Sequence, residues 1–309
     1  MNILITGGAG YLGSKLAKKI SESNEHAVTI VDNLLFNQWY LVQDALKNCV
    51  FKHIDVRNMS KDFIRSFDII IPLAALVGAP ICNKYPRDAK EINKDAIKYL
   101  CDNVIKDQFI IFMNTNSGYG RVIGKICTEE TPLHSISLYG QTKDEAEQLV
   151  IKHHKSTVFR LATLFGLSYR PRLDLLINTM VYEAITKKKI TVFDGDFNRN
   201  YVHIDDVVDT ILYAINNSNR FIGEIFNIGN DTINCTKFNL AKIIQKLCGC
   251  DIEIIKQTDP DQRDYIVSSE KLKKKTGTIL KKSLEYGINE MSYFCKYLST
   301  ESEKSMRNI

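Results

Sequence analysis

Residues 3–13 read Ile3-Leu4-Ile5-Thr6-Gly7-Gly8-Ala9-Gly10-Tyr11-Leu12-Gly13, and this stretch decides the fold. A short apolar β-forming run enters a glycine-rich turn, and from Ser14 to Ser21 the apolar residues recur at helical spacing. Strand, turn and helix in that order make a dinucleotide-type turn. Gly7, Gly10 and Gly13 let the chain reverse tightly, and they bring backbone N–H groups, with Tyr11 and Leu12 between them, to a pyrophosphate at the helix N-terminus. The spacing is G-x-x-G-x-x-G rather than G-x-G-x-x-G, so its strand–turn–helix context carries the weight.

Working outward, β-branched runs alternate with longer amphipathic stretches. The pattern predicts strands at Ile3–Thr6, Ala27–Val31, Val50–Ile54, Ile69–Leu73, Phe109–Met113 and Val158–Leu161. Helices are predicted at Ser14–Ser21, Ala89–Val104, Tyr139–His153 and His203–Ile215. Such alternation predicts an α/β fold, a doubly wound parallel sheet covered by helices. After Gly166 the elements become shorter and more mixed. Residues 1–166 are therefore read as the dinucleotide-binding domain and 167–309 as a smaller α/β substrate domain, part of which returns to the sheet.

The 309 residues are 44% hydrophobic and 25% charged, as in globular proteins. The net charge of +5 is spread along the chain, and its densest runs, 187–189 and 271–275, are short and lack aromatic interleaving. They read as solvated helix faces and argue against nucleic-acid binding. No apolar run is long enough to span a bilayer. The first strand starts at the N-terminus, so no leader is expected, and the scattered cysteines read as free thiols in a cytoplasmic protein. Cys248-Gly-Cys250 has no second pair or histidine at zinc-like spacing, so no metal is expected.

Asp32 ends the second strand. A carboxylate there accepts both ribose hydroxyls of NAD and repels the 2′-phosphate of NADP, and Asn33-Leu34-Leu35-Phe36 after it supplies no arginine to hold that phosphate. The cofactor expected is NAD. Tyr139 and Lys143 stand four apart at the start of a predicted helix and share one face. A nearby ammonium and a positive nicotinamide ring both favour phenolate, which lets Tyr139 take a proton from a hydroxyl while hydride leaves the same carbon.

Taken in order, Gly7/Gly10/Gly13, Asp32 with Asn33, Asp55-Val56, Leu73-Ala74-Ala75, Thr115 four before Tyr119-Gly120, and Tyr139/Lys143 resemble the extended short-chain dehydrogenase/reductase family over nearly the whole chain. The resemblance implies a Rossmann domain, bound NAD, a nucleotide-sugar substrate and a homodimer built from two helices per subunit. It implies that Asp55 and Val56 lie at the adenine and that Leu73, Ala74 and Ala75 line the cofactor. It also implies that Thr115 hydrogen-bonds the reacting hydroxyl. Arg199 in Arg199-Asn-Tyr-Val-His203 and Arg263 in Asp261-Gln-Arg-Asp264 resemble the family's two diphosphate-binding arginines, a role that suits a guanidinium fork. His203 reads as a helix cap.

Departures narrow the chemistry. The 4,6-dehydratases of the family carry an aspartate and a glutamate directly after the threonine, where this chain has Asn116 and Ser117, so elimination is not expected. The 3,5-epimerase/reductases carry a cysteine at Ser117. Thr163 stands where many relatives have asparagine. The segments 72–80, with Val77, 114–120 and 159–166, together with Arg172-Leu-Asp-Leu-Leu176, resemble the GDP-heptose C4 dehydrogenases of capsule polysaccharide biosynthesis. Val77, Thr115, Asn116, Ser117, Arg172, Arg199 and Arg263 are thus the expected substrate contacts. Net oxidation at C4 is set ahead of 4-epimerisation, although no residue separates the two. A non-catalytic NAD-binding regulator would need none of Thr115, Tyr139 and Lys143.

Overall fold

The strand, turn and helix expected from residues 3–13 are present in the computed structural model, which describes residues 1–193, 195–255, 263–277, 280–298, 303 and 306–308. Strand β1 (Asn2–Thr6) leads through the glycine turn into helix α1 (Tyr11–Glu22). The strands β2 (Ala27–Asp32), β3 (Val50–His53), β4 (Ile69–Pro72), β5 (Phe109–Thr115), β6 (Ser156–Leu161) and β7 (Glu224–Ile228) complete a parallel sheet. Its order is β7-β6-β5-β4-β1-β2-β3. The chain winds one way from β1 to β3 and the other from β4 onward, which leaves a crevice between β1 and β4 at their C-terminal ends. Strand β7, from the second half of the chain, pairs with β6, Phe226 opposite Phe159.

Helices cover both faces of this sheet, so its strands are apolar throughout instead of alternating. Ile3, Ile5, Ile30, Ile111 and Phe159 pack on one side, while Leu4, Val31, Ile110, Phe112 and Val158 from the same strands pack on the other. A third cluster in the later part of the chain joins Ile177 and Val181 of α3 (Leu176–Thr186) with Leu240 and Ile244 of α5 (Lys237–Cys248) and Ile288 and Met291 of α6 (Leu284–Lys296). Among the described residues, no helix is long and apolar enough to cross a membrane.

The helix predicted at Ala89–Val104 is interrupted. Pro86–Lys90 passes into a wide π turn at Glu91–Asp95 before Ala96–Asn103 resumes. Asn93 explains the widening, because its side chain is buried and holds the loop after β4: Oδ1 accepts from Leu76 N–H at 2.8 Å and Nδ2 donates to Leu76 O at 3.0 Å. The helix carrying Tyr139 is α2 (Leu138–Val150), capped by Ser137, whose Oγ accepts from Gly140 N–H at 3.2 Å. His203 sits just outside α4 (Ile204–Asn216) and caps it through Nδ1, which accepts from Asp205 N–H at 3.2 Å.

Candidate active site

The C-terminal ends of the central strands open onto one cavity of about 1220 Å³. That exceeds the ~300–1,000 Å³ of a site for one drug-sized ligand. Its first half is built by the turn and the loops after β2, β3 and β4: Gly7, Gly10, Tyr11, Leu12 and Gly13, then Asp32 and Asn33, Asp55 and Val56, and Leu73, Ala74 and Ala75.

Two of the glycines are required by contact. Gly7 has φ +68°, and a Cβ on it would lie 2.7 Å from Ala74 N; a Cβ on Gly13 would lie 2.2 Å from Gly7 O. No side chain caps the N-terminus of α1 and no acidic residue stands in its first turn. The partial positive charge there is left for a ligand anion, so this cradle fits the pyrophosphate of a dinucleotide. Asp32 is pinned beside it. Its Oδ2 accepts from Ala9 N–H at 3.0 Å and its Oδ1 from Leu34 N–H at 2.8 Å, while burial pushes its pKa upward against those bonds. Asp55 is held by Arg57, which lowers its pKa to about 2, and by Asn33 at 3.1 Å.

The second half carries the groups expected from the sequence to do the chemistry. Thr115 ends β5, and Tyr139 and Lys143 lie one turn apart on α2; all three line the cavity. The Thr115 hydroxyl donates to Ser117 Oγ at 2.9 Å and accepts from Ser117 N–H at 3.1 Å. Lys143 Nζ lies 4.1 Å from the centre of the Phe112 ring. Burial pushes the Lys143 ammonium down to about 7 and the Tyr139 phenol up to about 12. Asp144 and Glu147 oppose the shift of Lys143, and the charges of Arg172 and Arg263 oppose that of Tyr139. The protein by itself therefore holds this pair close to neutral, and additional positive charge at the site favours phenolate.

Val77, Thr163, Arg172, Arg199 and Arg263 also line the cavity, whereas Asn116 and Ser117 lie behind its wall. Asn116 is fully buried with neither side-chain amide atom bonded, and Ser117 Oγ accepts from Arg263 Nη1. Arg199 donates to the backbone oxygens of Asn198 and Arg263. Four carboxylates line the cavity among the described residues, and each is engaged: Asp32 by backbone amides, Asp55 by Arg57, Asp174 by Arg172 at 2.5 Å and Glu183 by Lys187 at 3.0 Å. The sequence did not lead to Gln38, Arg170 or Asn308, which line it too. Gln38 lies six residues past Asp32 and was within reach of a local reading; the other two come from distant segments.

The model of the NAD dependent epimerase/dehydratase family matches residues 3–229. An uncharacterized UDP-glucose epimerase of Bacillus subtilis, YtcB, is 29% identical over 248 residues, which cover 74% of this chain and 77% of that protein. The UDP-glucose 4-epimerase of Streptococcus mutans is 27% identical over 306 residues, covering 90% and 91%. Among solved structures, UDP-glucose 4-epimerase from Thermotoga maritima with UDP-glucose aligns with a TM-score of 0.81 at 28% identity, covering 97% of this chain and 100% of that one. UDP-glucuronic acid 4-epimerase from Bacillus cereus, with UDP-glucuronic acid and NAD, shares the fold at a TM-score of 0.85 and 22% identity, covering 96% and 99%. With the cradle, Asp32 and the Tyr139–Lys143 face on one cavity, the chain belongs to the NAD dependent epimerase/dehydratase family, as an enzyme that uses NAD.

Proposed function

We propose that this enzyme inverts C4 of a nucleotide-linked sugar, oxidising the C4 hydroxyl to a ketone and then returning the hydride to the opposite face. One observation carries the reading: Thr115, Tyr139 and Lys143 share a cavity with the dinucleotide cradle, while every carboxylate lining that cavity among the described residues is already engaged. Bound NAD supplies a two-electron acceptor and a positive ring. Thr115 orients the reacting hydroxyl, Tyr139 takes its proton, and Lys143 as ammonium favours the phenolate. Arg199 and Arg263 hold the diphosphate, and Val77 and Arg172 border the sugar. Elimination of water needs a free acid and base beside Thr115, and Asn116 and Ser117 supply neither.

The sequence alone set net dehydrogenation ahead of epimerisation. That order is reversed here, because relatives aligned over most of the chain are named as 4-epimerases. A GDP-heptose 4-dehydrogenase is the second reading. It is favoured by the segments that resemble such enzymes and by the Arg172–Asp174 pair of one of them, which lies on the cavity wall. The division into 1–166 and 167–309, the homodimer and a cytoplasmic location belong to the same proposal.

The test incubates the protein with NAD and either UDP-glucose or a GDP-linked heptose, following chromatographic separation of the epimers, product mass and NADH absorbance. An isomer of unchanged mass, with no ketosugar released, supports the epimerase. Accumulation of a ketosugar about two mass units lighter, with NADH formed in step, moves the assignment to the dehydrogenase. A product lighter by one water removes both.

A further inference from the structure

Arg170 is a buried cation with almost no partners. It is 2% exposed, its guanidinium stacks 4.9 Å from the centre of the Phe36 ring, and it lines the cavity. Among the described residues its only hydrogen bond runs from Nη2 to Arg307 O at 3.3 Å, and Nε is buried without a partner. A guanidinium has five donors, and burying it with so few of them satisfied is costly unless an anion completes the site. Among the described residues no carboxylate does so. Asp32 and Asp174 are near enough to be felt as charges, but among the described residues no hydrogen bond or ion pair joins either of them to Arg170. Burial together with the charge of Arg172 pushes the guanidinium down to about 10, the direction expected of a cation still missing its counter-charge.

The segment leading to Arg170 runs along the start of α1. The Tyr11 hydroxyl donates to Gly166 O at 2.7 Å, Lys15 Nζ to Leu167 O at 2.7 Å, and Ser168 Oγ to Tyr11 O at 2.5 Å. Arg170 therefore emerges beside the uncapped helix terminus, with Asp32 in range of its charge. Next to its Arg307 partner, Asn308 is also buried, lines the same cavity and has an unbonded Oδ1. This C-terminal segment is fastened by Leu173 N–H, which donates to Met306 O at 2.8 Å.

We propose that Arg170 and Asn308 form an outer wall of the cofactor site. Arg170 binds the pyrophosphate of NAD beside the N-terminus of α1, and Asn308 Oδ1 accepts from a neighbouring ribose hydroxyl. The donor fork and the acceptor match the anion and hydroxyl chemistry of that part of the ligand.

Calorimetric titration of the protein with NAD, ADP-ribose, adenosine and NADP tests this without any turnover. Arg170→Met should weaken NAD and ADP-ribose by about 10-fold or more, the scale of a charged hydrogen bond, and leave adenosine unchanged. Unchanged NAD affinity would overturn the proposal, as would an equal loss for adenosine, which would indicate collapse of the pocket. A loss confined to NADP would mean that Arg170 reads a 2′-phosphate, and the pyrophosphate assignment would fall. Should Arg170→Met not fold, Arg170→Lys keeps the charge but loses the fork: weaker NAD with unchanged adenosine supports the proposal, and no change in either overturns it. Asn308→Ala should weaken NAD by a smaller factor, and wild-type affinity would remove Asn308 from the wall.

Discussion

Arg160 of β6 and Glu147 of α2 meet as a buried ion pair, Nη2 to Oε1 at 2.6 Å, beneath the helix that carries Tyr139 and Lys143. Asn114, next to Thr115, donates to the same carboxylate at 2.5 Å. One carboxylate thus ties β6 and the strand bearing Thr115 to the helix bearing Tyr139. Glu147→Ala leaves the guanidinium buried and unpaired, so it should cost about 3–5 kcal/mol of stability. Glu147→Gln, which keeps an acceptor, should cost less. Urea denaturation of the three proteins checks the order.

Lys143 makes stability depend on pH in a direction that can be worked out. Its folded pKa lies at about 7 because of burial, while an unfolded lysine titrates near ~10.4. Between those values the unfolded chain binds more protons, so stability from this group rises with pH across that window. Lys143→Met removes the buried charge. The cofactor-free variant should melt above the wild type below about pH 7, and its advantage should fade toward pH 10. A melting-temperature difference that stays constant from pH 6 to 10 would contradict the assignment.

Tyr139→Phe removes the phenol while keeping the ring. Turnover should fall by about 100-fold or more, the usual scale of acid–base catalysis, with NAD affinity close to wild type. Stopped assays for turnover and fluorescence titration for NAD separate the two. Wild-type turnover in the phenylalanine variant would mean that another group takes the proton.

Asp32→Asn removes the charge but keeps an acceptor for the N–H groups of Ala9 or Leu34. The wild type should prefer NAD over NADP, and the asparagine variant should narrow that gap, mainly by binding NAD less tightly. With the carboxylate neutralised, the nearby charge of Arg170 should also ease entry of a 2′-phosphate. Equal affinities for both cofactors in the wild type would sink this reading of Asp32.

Much of the cofactor half was legible in the chain itself. The turn at Gly7, Gly10 and Gly13 and the carboxylate at Asp32 belong to one short βαβ segment, so spacing alone expresses their geometry. The common face of Tyr139 and Lys143 follows from helical pitch in the same way. The π turn at Glu91–Asp95 was not legible, because its cause is Asn93 bonding to Leu76, outside the helix. Asn116 and Ser117 follow Thr115 in sequence, yet the 3-10 turn at Asn116–Tyr119 carries them behind the cavity wall.

Local spacing expresses backbone turns and helix faces, and these were enough for the sheet, the cradle, NAD and the Tyr139–Lys143 pair. Burial and pairing depend on contacts between residues far apart in the chain. Only the tertiary structure could bring Arg170 and Asn308 to this cavity, engage the carboxylates that line it among the described residues, and favour the uncharged forms of Tyr139 and Lys143 by excluding water, raising the one pKa and lowering the other.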